Sequence, residues 1–116
     1  MRQALEVPHP IPDQLAEMIA RRFRVLGDAN RLRLLDSLRD GPLTVGQLVE
    51  ATSLSQQNVS KHLGVLHDAN LVKRERAGTQ VLCTIADPAV FELCEHVCGG
   101  LRREADELSR VLEGVS

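Results

Sequence analysis

Apolar residues recur at helical spacing through most of the chain, with one change of period. Between residues 55 and 70, Val59, Leu63 and Leu66 are separated by four and then three positions, the period of one buried helix face. The opposite face carries Gln56, Gln57, Asn58, Ser60 and Lys61, with no acid among them. Ser55 is placed to cap this helix, and Asn70 to end it, since asparagine tolerates left-handed backbone. Upstream, Leu15, Met18, Ile19, Phe23, Val25 and Leu26 predict a helix capped by Asp13 and running to about Leu26. Its apolar arc is wide enough to meet two surfaces, a core and a partner subunit. Gly27 stops it. Asp28 caps a second helix over 29–39 that buries Leu32, Leu34, Leu35 and Leu38, and Asp40-Gly41-Pro42 turns the chain. Thr44 caps a short helix over 45–51 with Gln47 and Glu50 exposed, and Thr52 to Ser55 leads tightly into the polar-faced helix. Two short helices joined in this way predict a helix-turn-helix.

After Asn70 the runs 71–76 and 80–85 are short and β-prone, around Ala77-Gly78-Thr79. They predict a hairpin. Its Lys73, Arg74 and Arg76 suit a wing lying along a phosphate backbone. Asp87-Pro88 then opens a last helix to about Glu113. Along it Cys94, Cys98, Leu101, Ala105, Leu108 and Leu112 recur at 4, 3, 4, 3, 4, a short heptad seam. Phe91, Leu93 and Val97 widen the seam, and Gly99-Gly100 interrupts it. The expected fold is mainly α with a β-hairpin wing, ordered α-α-α-α-β-β-α. It pairs as a homodimer through the first helix (Leu15, Ile19) and the last, placing two recognition helices about one DNA turn apart. Residues 1–12, with Pro8, Pro10 and Pro12, read as an extended arm, and 13–116 as a single domain.

Composition narrows the picture. Hydrophobic residues make up 43% of the 116, with no Trp or Tyr and only Phe23 and Phe91 as aromatics, so the core must be aliphatic. No apolar run reaches membrane-spanning length and the N-terminus shows no signal-peptide pattern, so the expected location is the cytoplasm. Net charge is −2, but its distribution is uneven. Residues 55–80 hold Lys61, Lys73, Arg74 and Arg76 against Asp68 and Glu75, whereas the last helix is strongly acidic. This suits salt-dependent binding to double-stranded DNA. No Gly-rich phosphate loop, His-Glu-x-x-His pair or nucleophile elbow is present, so an enzyme is not expected.

Three stretches resemble the ArsR/SmtB family of bacterial winged-helix repressors. They are Val25-Leu26-Gly27-Asp28-Ala29-Asn30-Arg31-Leu32-Arg33-Leu34-Leu35 at the second helix, Leu54 to Leu66 at the recognition helix, and Asp68-Ala69-Asn70-Leu71-Val72 through Val81 at the wing. In the last, Asn70 stands where the family usually has Gly. The resemblance covers roughly 14–113 and implies a dimer that represses an operon and leaves DNA on sensing an effector. Gln56, Gln57, Asn58 and Ser60 would then enter the major groove with Lys61. Ser55 and His62 would also contact DNA from this helix, His62 by donating to a phosphate or by stabilising the turn. Arg74, Arg76, Thr79 and Gln80 would brace the backbone from the wing.

The family's sensor sites do not carry over. Residues 31–50 contain no Cys, which removes the Cys-x-Cys arsenic-type site and the second-helix Cys of persulfide sensors. Asp87 is followed by Pro88 and Ala89, and no His lies beyond His96, which breaks the zinc-type site. What remains is Cys94 and Cys98, four apart on one helix face. Two thiolates there suit a thiophilic metal or metalloid, with a third ligand from Cys83, His9 or a partner chain, or a response to oxidants or reactive sulfur. Equally, both are small apolar residues packed on the seam. A regulator with no ligand at all, and a helical protein–protein module acting through its acidic last helix, are the other readings. His67 suits the helix dipole, and His96 and His9 read as solvated.

Overall fold

The computed structural model describes residues 6–114. Residues 1–5 of the expected arm and 115–116 of the expected domain lie outside the described residues. The elements are α1 (Asp13–Leu26), α2 (Ala29–Ser37), β1 (Leu43–Thr44), α3 (Val45–Thr52), α4 (Gln56–Asp68), β2 (Val72–Ala77), β3 (Gln80–Ile85) and α5 (Ala89–Glu113). The chain divides into two compact units, one ending at Ala86 and one beginning at Asp87.

In the first unit, Leu34, Leu35 and Leu38, Leu48 of α3, and Val59, Leu63 and Leu66 of α4 form the core with Leu71, just before β2, and Val72 and Cys83 of the sheet, all buried. The core is aliphatic, as the composition required. Asp28 caps α2, its Oδ1 accepting from the backbone N–H groups of Asn30 at 2.9 Å and Arg31 at 3.1 Å. That helix ends at Ser37 rather than 39, and Leu32 faces outward instead of into the core. Asp13 does not cap α1. Pro12 holds that position with extended backbone, and Asp13 is the first helical residue, where its charge suits the helix dipole.

The helix-turn-helix is held by caps at both starts. The Thr44 hydroxyl accepts from Gln47 N–H at 3.2 Å while the Gln47 amide oxygen accepts from Thr44 N–H at 2.9 Å, a reciprocal box that satisfies two free donors. Gln47 therefore has a structural task beyond surface exposure. Ser53 turns the chain in left-handed backbone (φ 60°). Ser55 then caps α4, its hydroxyl accepting from Asn58 N–H at 3.1 Å. Asn70 lies in the left-handed region (φ 61°) just past the end of α4, as its side chain permits.

β2 and β3 form the expected antiparallel hairpin, from Val72 opposite Ile85 to Ala77 opposite Gln80. Gly78 sits at its turn with φ 66°, a conformation that glycine adopts without penalty. A third strand was not expected. Leu43 and Thr44 pair antiparallel with Cys83 and Leu82, giving the order β1-β3-β2. This ties the start of α3 to the base of the wing.

The second unit is α5, a 25-residue helix. Asp87 accepts from Ala89 N–H at 3.1 Å at its start, with Pro88 at the N-cap rather than inside the first turn. Gly99 and Gly100 do not break it.

Candidate nucleic-acid interface

The burial of Val59, Leu63 and Leu66 determines what α4 presents to solvent. Gln56, Gln57, Asn58, Ser60 and Lys61 are all exposed. The first turn contains no acid, so nothing offsets the positive end of the helix dipole where an anionic backbone would approach. The amides of Gln56, Gln57 and Asn58 have both donors and acceptors for base edges, and Lys61 supplies a point charge. Ser55 is also exposed, but its hydroxyl is occupied as the cap acceptor.

A groove of about 400 Å³ runs between the start of α3, the first turns of α4 and the wing tip. Gln56 and Ser60 line it on one side, Thr79 and Gln80 on another, and Thr44 and Gly46 close it. The structure thus joins four of the sequence-designated residues into one surface. Thr44, at the end of β1, and Gly46, in the first turn of α3, were not expected at the groove, because no local pattern announces the β1 pairing beside them.

The hairpin register determines where the wing arginines stand. Arg74 lies opposite Cys83 and Arg76 opposite Val81. Directly paired residues share a face, so both arginines lie on the sheet face that carries buried Val72 and Cys83 further back. Lys73 and Glu75 alternate onto the other face. Arg74 and Arg76 are themselves exposed, although Arg74 pairs with the fully buried Cys83.

His62 departs from the expectation of a phosphate donor. It is only 8% exposed, and its Nδ1 lies 3.3 Å from Nη1 of Arg31. The spacing carried the signal: His62 stands three residues after Val59 and four before Leu66, on the inward side of α4. The other reading of His62 was stabilisation of the turn, and its contact is with Arg31 of α2.

A groove bounded by a cap-fixed helix pair and a β-wing is the geometry of a winged helix-turn-helix. The family model described as bacterial regulatory protein, arsR family, matches residues 28–74, which span α2 to the first half of β2. The HTH-type transcriptional regulator NmtR of Mycobacterium tuberculosis is 36% identical over 86 residues, 74% of this chain and 72% of that protein. This chain belongs to the ArsR family. The probable mercury resistance operon repressor of Streptomyces lividans is 39% identical over 88 residues, 76% of this chain and 67% of that protein. Among solved structures, Rv0081 of M. tuberculosis superposes with a TM-score of 0.75 at 29% identity, covering 84% of this chain and 99% of that one. The homodimeric winged helix-turn-helix DNA-binding domain Mb0332 of Mycobacterium bovis does so at 0.70 and 26% identity, covering 86% and 95%.

The protein is thus a DNA-binding transcriptional regulator of the ArsR family, not an enzyme. No helix among the described residues is long and apolar enough to cross a membrane. The three cysteines of this ArsR-family chain differ sharply. Cys94 and Cys98 are free thiols exposed on α5, and Cys83 is fully buried in β3. Burial pushes the Cys83 thiol up from its ordinary value, opposed in part by the charge of Arg74. Buried in apolar surroundings, Cys83 is not exposed to solvent as Cys94 and Cys98 are. The Sγ of Cys98 accepts from the Arg102 guanidinium at 3.9 Å, one turn along the helix. Among the described residues no group of three or more His, Cys, Asp or Glu side chains is placed to hold a metal ion. Among the described residues one chain therefore offers two exposed thiols, four residues apart, and no third ligand beside them.

Proposed function

We propose that the protein is a dimeric repressor that binds a two-fold symmetric operator and releases it when a thiophilic effector reaches Cys94 and Cys98. The observation that carries the reading is the apolar seam of α5. Leu101, Leu108 and Leu112 are 60%, 58% and 64% exposed, and both exposed thiols stand in the same row. Apolar side chains repeated over that length call for a second surface. A two-fold partner supplies it and brings a second pair of thiols into the assembly. Four thiolates on two helices suit a soft metal or metalloid ion, which one chain alone does not satisfy. The naming of the Streptomyces lividans relative as a mercury resistance repressor supports a soft-metal effector, and the homodimeric Mb0332 domain supports the pairing.

On DNA, Gln56, Gln57, Asn58 and Ser60 read base edges from the major groove and Lys61 contacts phosphate. Arg74, Arg76, Thr79 and Gln80 hold the backbone from the wing. The test is a binding titration of reduced protein against duplex from its own upstream region, followed by challenge with mercuric ion, arsenite, peroxide and polysulfide. Release by one of these that disappears in Cys94→Ser and Cys98→Ser, with DNA binding retained, supports the reading. Release that is unchanged in both variants, or no release by any, leaves the cysteines as packing residues and rejects the sensor.

A further inference from the structure

Arg31 makes a set of contacts that neither capping nor base reading uses. Its Nε donates to the carbonyl oxygen of Val25 at 2.6 Å and its Nη2 to that of Arg24 at 3.3 Å. Both carbonyls belong to the last turn of α1, where acceptors lack the usual helical partner, and that of Arg24 also accepts from the Gly27 N–H at 3.3 Å. Its Nη1 meets Nδ1 of His62 on α4 at 3.3 Å and lies 3.9 Å from Oδ2 of Asp28. One planar guanidinium on α2 therefore engages the end of α1, the cap of α2 and the inward side of the recognition helix. A guanidinium has donors only, so a hydrogen bond across this contact requires Nδ1 of His62 as the acceptor, the tautomer with its proton on Nε2. His62 is buried at this contact, where a polar pair is worth more than at the surface.

We infer that Arg31 and His62 are positioning residues for DNA recognition, a clamp that holds the recognition helix at a fixed angle to α1. Neither touches DNA. Base reading needs the amides of α4 in register with base edges, whereas phosphate attraction tolerates small rotations of the helix. Loss of the clamp should therefore erode discrimination and spare non-specific affinity. Because α1 is also a helix assigned to the subunit contact, the clamp passes a shift of α1 directly to the reading face. The inference rests on the operator reading above only for its DNA readout.

The test compares His62→Leu, which fills the space but cannot accept, with His62→Asn, whose Oδ1 stands where Nδ1 stood. The probes are the duplex that the wild-type protein protects and a scrambled duplex of equal length. His62→Leu should lose about tenfold in affinity for the protected duplex and stay within about twofold on the scrambled one, since a hydrogen bond to a charged group is worth about that much. His62→Asn should restore most of the difference. In the unmodified protein, ¹⁵N shifts of the His62 ring should show Nδ1 unprotonated, and Arg31→Lys should disturb that signature. Retained discrimination in His62→Leu, equal losses on both duplexes, or a proton on Nδ1 overturns the clamp. If the wild-type protein itself does not discriminate, the operator reading fails, and the ring shifts still decide whether the clamp exists.

Discussion

Asp28 holds Arg31 twice, accepting its backbone N–H at 3.1 Å and standing 3.9 Å from its guanidinium. The backbone bond to Arg31, with the further bond from Asn30 and the nearby positive charge, holds the Asp28 carboxyl below its ordinary value against a smaller opposing effect of burial. A carboxyl lowered in the native state binds its proton later than in the unfolded chain. Its stabilisation is therefore complete above the ordinary aspartate range, about 3.9, and is lost as pH falls through the lower native value. Asp28→Ala should cost about 1 kcal/mol at neutral pH, the usual worth of an N-cap. Asp28→Asn keeps the cap acceptor and should cost less, while flattening the acid limb. Urea denaturation of the three proteins at neutral and acid pH checks this. Identical acid limbs would show that Asp28 does not contribute to it.

The turn of the helix-turn-helix stores a second testable quantity. Ser53 is held at φ 60° between α3 and α4, where a side chain is disfavoured and glycine is not. Ser53→Gly should stabilise the fold by roughly 0.5 kcal/mol, the relief of strain exceeding the extra freedom gained by the unfolded chain. Ser53→Val should destabilise it by more than that. Thermal melts read both, and a Ser53→Gly protein less stable than the parent would mean that the serine side chain contributes a compensating contact.

Much of this architecture was legible because burial repeats. Val59, Leu63 and Leu66 mark the inner face of α4 at its own period, and the polar outer face follows by exclusion. Caps were legible where one short polar side chain precedes a helical period, as at Asp28 and Ser55. Asp13 misled because Pro12 already provided the extended entry. β1 was not legible: two residues carry no period, and only the distant Leu82 and Cys83 make Leu43 and Thr44 a strand. Membership of the groove by Thr44 and Gly46 depends on that pairing and was hidden with it. The burial of His62 was legible in its helical position, shared with Val59 and Leu66, although its chemistry also suits a phosphate contact.

Lys61 is exposed one turn into α4, beyond the polar amides. If it contacts phosphate, Lys61→Ala should weaken binding to all duplexes alike and lower the magnitude of the slope of log affinity against log salt by about 1, the release of one counterion. Gln57→Ala should behave differently, losing affinity on the protected duplex only. Fluorescence anisotropy across a salt series separates the two. An unchanged slope in Lys61→Ala, or equal losses on both duplexes in Gln57→Ala, would reject the respective role.

The seam of α5 places the thiols and the subunit contact in one row, so each reports on the other. Leu108 is 58% exposed in the single chain and stands ten residues beyond Cys98 on the same stripe. A charge there should oppose pairing, since burying it against an apolar partner carries a desolvation cost with no ion to offset it. Leu108→Glu should sediment as a monomer at concentrations where the parent is a dimer, with intact helix content. Operator affinity should drop at least about tenfold, because two half-sites no longer bind as one ligand. Cys94 and Cys98 should alkylate faster in this variant than in the parent, while Cys83, buried and with its thiol pushed up, stays unlabelled until the fold is denatured. Equal labelling rates in parent and variant would place the thiols outside the subunit contact. A Leu108→Glu protein that remains dimeric would move the contact off the seam altogether.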